Sequence, residues 1–270
     1  MIFMEMLSYP FLARAMLVGV LVSLCAALLG TPLVLKRYSM IGDGLSHVGF
    51  GSLAIATALD LAPLAVTVSV VALAAVLLLR ISQSGKIRGD AAIALISSGS
   101  LAVGVIVVSL TSGMNMNVSN YMFGSILTVA RADAVLSVVL CAAVIALFTL
   151  LYNRIFAVTF DETFAAATGT RAQLYNTLLA VLTAVTVVLG MRMMGALLIS
   201  SLLIFPSLSA MRVFRTFKSV TVCSAALSVA CFAIGMAASY ALETPSGASV
   251  VAMNILAFGL FALAGKLLRR

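Results

Sequence analysis

His47 is the only histidine of the 270-residue chain, and Asp43 precedes it by four positions in the segment LKRYSMIGDGLSHVGFGSLAIATAL. Positions i and i+4 of a helix lie on one face, one turn apart, so a carboxylate and an imidazole are presented together. Oxygen and nitrogen donors of these two kinds suit Zn²⁺ or another first-row divalent cation. The same groups could instead relay protons, or form a buried hydrogen bond that only ties helices together. As metal ligands they are too few for a closed four-coordinate site. Two identical subunits meeting across a central pore would supply two aspartates and two histidines, which is how a chain with one histidine could build such a site. Gly42, Gly44, Gly49 and Gly51 surround the pair and allow close helix approach or a local break.

The elements that must position this pair are membrane helices. Hydrophobic residues make up 63% of the chain and charged residues 9%, with a mean hydropathy of +1.24. A soluble domain carries about 25% charged residues. Stretches such as Ala62 to Leu79 are apolar on every face, which reads as helix and not as the alternating strand of a membrane barrel. Crossings are predicted at about 11–36, 40–59, 62–80, 91–111, 132–152, 173–190, 193–212, 219–241 and 247–266. The fold class expected is all-α, a polytopic bundle of eight or nine transmembrane helices in one membrane domain spanning 1–270. The breaks near Asp60–Pro63 and Gly190–Met193 are the shortest.

At 1.5 Å per residue, His47 lies on the order of 12 Å into the second helix. A charged group at depth costs about 2.5–3.5 kcal/mol on insertion scales, so an ionisable pair there calls for a functional contact. Other acidic residues have ordinary places. Glu5, Asp60 and Glu243 fall at the outer edges of apolar runs, and Asp90 and Asp133 precede helices as N-caps.

Basic residues set the orientation. With the N-terminus outside, Lys36, Arg37, Arg80, Lys86, Arg88, Arg154, Arg171, Arg212, Arg215, Lys218, Lys266, Arg269 and Arg270 are cytoplasmic, and only Arg14, Arg131 and Arg192 are external. This follows the positive-inside bias. The net charge of +8 is thus distributed as topology signals, with no basic face for nucleic acid. No basic region followed by a small-residue cleavage site opens the chain, so no removable signal peptide is expected. Cys25, Cys141, Cys223 and Cys231 are scattered in apolar runs without a CxxC pair and read as packing residues. Gly265–Lys266 lacks the upstream glycine of a phosphate-binding loop, so the chain hydrolyses no ATP itself.

Two stretches outside the spans are long enough to hold structure. Residues 112–131 lie outside, polar and then apolar, as an interfacial helix. Residues 153–172 lie inside, where Asp161 and Glu162 open a short helix beside its positive end and Gly169 stops it. That helix either rests on the interface or docks a cytoplasmic protein.

Together these segments resemble the metal-cation permeases of ATP-binding-cassette importers, the zinc, manganese and iron group. The resemblance runs from Leu35 to about Asn254. Its most specific part is KRYSMIGDGLSHVGFG, which matches the family's glycine–aspartate–x₃–histidine segment after a basic pair. Supporting it in order are GDAAIALISS (89–98), NYMFGSIL (120–127), FDETFAAATG (160–169), GALLISSLLIFPSLSAMR (195–212) and SYALETPSGASVV (239–251). The resemblance implies a non-enzymatic homodimer in the bacterial cell membrane, coupled to cytoplasmic ATPase subunits and fed by an extracytoplasmic metal-binding protein. It places Asp43 and His47 at metal-contacting positions. It makes FDETFAAATG, with Phe160, Asp161, Glu162, Ala166 and Gly169, the helix that docks on the ATPase. Gly44 and the run LGMRMMGALLISSLLIFPS look most similar to zinc members, so Zn²⁺ is expected ahead of Mn²⁺ or Fe²⁺, as substrate and not as a resident cofactor. The competing expectation, a proton-coupled secondary transporter using Asp43 and His47, would often show inverted repeats, and the sequence has no convincing one.

Overall fold

The computed structural model describes residues 8–83, 89–111 and 131–268. The expected interfacial helix at 112–131 therefore lies outside the described residues, apart from Arg131, which opens a transmembrane helix. Glu5, Lys86, Arg88, Arg269 and Arg270 also lie outside them.

The described residues form α1 (Pro10–Leu35), α2 (Ile41–Ala58), α3 (Pro63–Gln83), α4 (Gly89–Leu110), α5 (Arg131–Leu150), α6 (Tyr152–Phe160), α7 (Glu162–Ala167), α8 (Ala172–Met194), α9 (Ala196–Val213), α10 (Phe217–Leu242) and α11 (Ser246–Leu268). Local chemistry sets several boundaries. Pro10 stands in the first turn of α1, where its missing N–H costs nothing. Thr216 accepts a hydrogen bond from the Ser219 N–H at 3.2 Å and caps α10. Gly195, at φ +89°, separates α8 from α9, in a backbone region that side-chain-bearing residues rarely enter. The break expected at 190–193 thus falls slightly later. Asp90 sits in the first turn of α4 and not at its cap, where it still favours the positive helix end.

Among the described residues seven helices are long and apolar enough to cross a membrane, and α5 with α6, bent by 69° at Leu151, makes an eighth candidate. α2 is less apolar, because it carries Asp43, His47 and four glycines. Its 18 residues still span about 27 Å at 1.5 Å per residue. Its place explains how it can be polar: α4, α3, α9 and α8 all pack against it. At α2–α4 a Cβ on Gly51 would stand 2.6 Å from the Ser100 carbonyl oxygen. At α1–α9 a Cβ on Gly30 would overlap the Leu203 carbonyl oxygen. Small residues therefore set both crossings, as expected where helices pack in lipid.

α1 is the central post, touching α5, α8, α9 and α10. A seam of hydroxyls joins it to its neighbours: Thr31 and Ser207 pair at 3.2 Å, Ser207 and Ser224 at 3.1 Å, and Ser228 donates to the Ser23 carbonyl at 2.9 Å. The sealed apolar centre includes Leu29, Leu45, Phe50, Met194, Leu198, Leu202 and Phe232. Cys25, Cys141 and Cys231 are buried and, with Cys223, unbridged, consistent with packing.

Candidate ion site and candidate docking helix

α2 buries nearly its whole circumference against its neighbours. Across residues 41–52 only Asp43 and His47 are not buried. Their side chains keep 43% and 20% of their surface open, respectively. Over residues 41–52 the i, i+4 spacing thus places acid and imidazole together on the part of the helix surface that the other described residues leave uncovered. His47 Nε2 and Asp43 Oδ2 stand 3.7 Å apart, too far for a hydrogen bond, with both donor atoms on the same side. The structure does not make them a tie between helices.

Among the described residues no group of three or more histidine, cysteine, aspartate or glutamate side chains comes together. The two groups brought together here, among the described residues, are the Asp43 carboxylate and the His47 imidazole. Gly44 belongs to a different contact. It is buried, and a Cβ there would stand 2.7 Å from Ile93 Cγ2 on α4. Its role is to let α2 lie close to α4.

The second expected site is one continuous structure. Residues 153–160, expected outside the spans and ahead of the short helix, are helical in α6, which packs three aromatic rings on Phe217 of α10. Ring centroids lie 5.4, 5.3 and 6.0 Å from Phe217 for Tyr152, Phe156 and Phe160. The bend after α5 is stabilised by this cluster, a pairing that hydropathy alone does not reveal.

Asp161 then caps α7: its Oδ1 accepts the Phe164 N–H at 2.8 Å. Gly169, at φ +83°, ends the turn. The Gly169 N–H reaches the Ala166 carbonyl at 3.0 Å and the Thr170 N–H the Ala165 carbonyl at 2.9 Å, the paired bonds of a Schellman end. Val158, Ala165 and Ala172 form a small core beneath α7. Phe160, Asp161, Glu162, Ala166 and Gly169 are all exposed on its outer surface. Phe164 joins them at 65% exposure. Sequence reasoning missed it, although its place one turn after Phe160 is a usable signal.

Lys36 and Asn176 were missed as well. Glu162 Oε2 lies 3.4 Å from Lys36 Nζ, and Glu162 Oε1 accepts the Asn176 side-chain N–H at 2.8 Å. Lys36 also donates to Asn176 Oδ1. Burial holds the Lys36 ammonium below its ordinary lysine value, partly offset by the Glu162 charge and hydrogen bond. The charge pattern puts Lys36 and Glu162 on the same membrane side, so an opposite-charge contact is legible in outline. Beside the cluster an open cavity of about 1070 Å³ is lined by Arg80, Glu162, Thr170, Arg171 and Gln173 among others. Lys36, Arg80 and Arg171 thus gather at the end of the bundle that carries α7.

Several known proteins resemble this chain along most of its length. It is 30% identical over 255 residues to a protein of Haemophilus influenzae named "probable iron transport system membrane protein", covering 94% of this chain and 90% of that one. The zinc uptake membrane protein ZnuB of the same organism is 28% identical, covering 93% and 96%. The manganese import permease ScaB of Streptococcus gordonii is 25% identical, covering 93% and 90%. Among solved structures, PsaBC from Streptococcus pneumoniae in complex with Fab superposes with a TM-score of 0.85 at 26% identity, over 96% of this chain and 94% of that one. The all-helical fold is shared. The model of the ABC 3 transport family matches residues 8–265, and this chain belongs to that family.

Proposed function

We propose that this chain is the membrane-spanning permease subunit of an ATP-driven importer of divalent metal ions. In this reading two copies face each other and their Asp43 and His47 side chains surround the passing ion. The observation that carries it is the uncovered strip of α2, where the only two open side chains over residues 41–52 are a carboxylate and the sole imidazole. Left against lipid they would be costly. Facing a second copy across an aqueous path they become a four-donor site. Membership of a transporter family named for the ATP-binding cassette, and relatives named for iron, manganese and zinc transport, support the same reading over a proton-coupled secondary transporter.

In the proposed cycle an extracytoplasmic metal-binding protein releases its ion into a cavity between the subunits. The ion sheds water for Asp43 and His47, with the imidazole neutral. A cytoplasmic ATPase subunit docks on Phe160, Asp161, Glu162, Phe164, Ala166 and Gly169, and its closure shifts the helices so that the ion leaves inward. Phe160 and Phe164 are more than half exposed at 59% and 65%, and a partner protein would cover them. The N-terminus lies outside, the chain forms one domain in the bacterial cell membrane, and Zn²⁺ is the favoured ion. Carboxylate and imidazole donors accept Zn²⁺, Mn²⁺ and Fe²⁺ alike, so the zinc assignment rests on sequence likeness.

Reconstitution of the chain with its ATPase in vesicles tests the reading. ATP-dependent uptake of radioactive Zn²⁺ by wild type, and its loss in Asp43→Ala and His47→Ala, is the expected result. Normal uptake by both variants would remove the ion site. Uptake by the chain alone, driven by a pH gradient, would establish the secondary transporter instead.

A further inference from the structure

Glu162 opens the exposed helix α7, yet both its carboxylate oxygens turn inward to Lys36 and Asn176. The three residues come from three elements: the end of α1, the start of α7 and the first turns of α8. Asn176 is 2% exposed, and the Lys36 side chain keeps 11% of its surface. Among the described residues Glu162 is the only carboxylate paired with Lys36. A helix needed only as a docking platform would be held by its small apolar core and its caps. Placing a cation from α1 under its first residue adds a desolvation cost and gains a directional link.

The backbone between Lys36 and α2 is stiff. Arg37 sits at φ +63°, the Tyr38 N–H closes back on the Leu33 carbonyl at 2.9 Å, and Ser82 of α3 donates to the Tyr38 hydroxyl at 3.3 Å. The Ile41 N–H then bonds the Tyr38 carbonyl at 3.1 Å, which starts α2. From Lys36 it is one compact corner to Asp43. The far end of α7 is tied elsewhere, through Arg154 Nη1 donating to Thr170 Oγ1 at 2.9 Å.

We propose that the Lys36–Glu162–Asn176 cluster is the joint through which movement of α7 reaches the ion-carrying helix α2, with Lys36 as a positioning residue for Asp43 and His47. A pull on Glu162 moves Lys36, and the corner at 36–40 passes that movement to the start of α2. This rests on the permease reading above. The cluster takes no part in binding the ion; it links ATP hydrolysis to the ion's release.

The test uses the complete transporter, chain plus ATPase, in vesicles, with ATP hydrolysis and Zn²⁺ uptake measured on the same preparation. Lys36→Met keeps the length of the side chain without its charge. The expected result is hydrolysis at the wild-type rate with uptake reduced about tenfold, the scale of a typical coupling free energy, so that fewer ions move per ATP. The exchange Lys36→Glu with Glu162→Lys is expected to recover part of the lost uptake. Asn176→Leu, away from the docking surface, removes the amide that holds both partners and carries the same test if Lys36→Met fails to assemble. Hydrolysis and uptake falling in equal proportion would make the cluster a structural or docking contact and overturn the joint. Unchanged ions per ATP in both variants would overturn it as well. A wild-type complex that hydrolyses ATP without moving metal would instead overturn the permease reading on which the joint depends.

Discussion

Gly51 of α2 and Ser100 of α4 meet backbone to backbone, so closely that a Cβ on Gly51 would lie 2.6 Å from the Ser100 carbonyl oxygen and 3.3 Å from its carbon. Backbone atoms cannot rotate aside as a flexible side chain can. Gly51→Ala must therefore push the two helices apart, at an expected cost of about 1–3 kcal/mol. Gly99, on α4 itself, would meet nothing within 4 Å, so Gly99→Ala is expected to be neutral or stabilising by up to about 1 kcal/mol from helix propensity. Thermal unfolding of both variants in detergent distinguishes them. Equal melting temperatures for the pair would show that α2 and α4 do not cross as described.

If two copies share one ion, purified dimer should bind one Zn²⁺ per two chains, measured by elemental analysis after dialysis. The same binding should weaken in acid, because a protonated imidazole has no lone pair to give. His47→Ala should lose most of both the affinity and this acid sensitivity, whereas Asp43→Asn should lose affinity and keep the sensitivity. One ion per chain would mean that each copy completes its own site with donors other than a second aspartate and imidazole.

Much of this architecture is legible in residue types alone, and the exceptions have physical reasons. Long apolar runs specify membrane helices because lipid leaves the backbone no other partner. Asp161 and Gly169 announce both ends of α7, since capping chemistry is local to the sequence. The bend that creates α6 depends on Phe217, more than fifty residues away in the chain, and no local pattern encodes that contact. The Asp43–His47 pair is legible from spacing, but not that these are the two side chains left open over residues 41–52. That depends on four other helices covering the rest. Lys36 reads from sequence as a topology signal. Its inward turn toward Glu162 is a tertiary fact.

Lys36 also gives the protein an alkaline response. Burial disfavours its charged form and keeps its pKa below the ordinary 10.5, so at neutral pH the folded chain carries a cation that the unfolded chain holds more easily. As pH rises through the folded value, the folded state releases that proton first, and stability from this group rises until the unfolded value is passed. Comparing melting temperatures of wild type and Lys36→Met from neutral pH upward past the ordinary lysine value isolates the effect, since the folded value lies below 10.5. The gap should move in favour of wild type as pH rises. Glu162→Gln removes the charge that partly restores the ammonium, so its rise should begin at lower pH. A gap constant across that range would show that Lys36 titrates equally in both states.

On α9 and α11, Ser201 Oγ and Asn254 Oδ1 are buried and have no hydrogen-bond partner among the described residues. The two helices run parallel in a fixed register, since Phe205 meets Phe258 edge to face with centroids 6.2 Å apart and Gly265 abuts the Arg212 backbone. Ser201 and Asn254 keep the same sequence offset and so lie at one level. An unpaired buried hydroxyl costs about 1–3 kcal/mol, and Ser201→Ala removes it without leaving a large cavity. It is expected to be neutral or stabilising by about 1 kcal/mol. Ser207, in contrast, pairs with Thr31 at 3.2 Å and Ser224 at 3.1 Å, and Ser207→Ala should cost about 0.6 kcal/mol, and at most about 1.7, the average and the maximum for hydrogen bonds between membrane helices. The two substitutions remove the same atom from the same helix. If they lowered the melting temperature equally, Ser201 must have a partner of its own, and the α9–α11 contact would be polar and paired at that level.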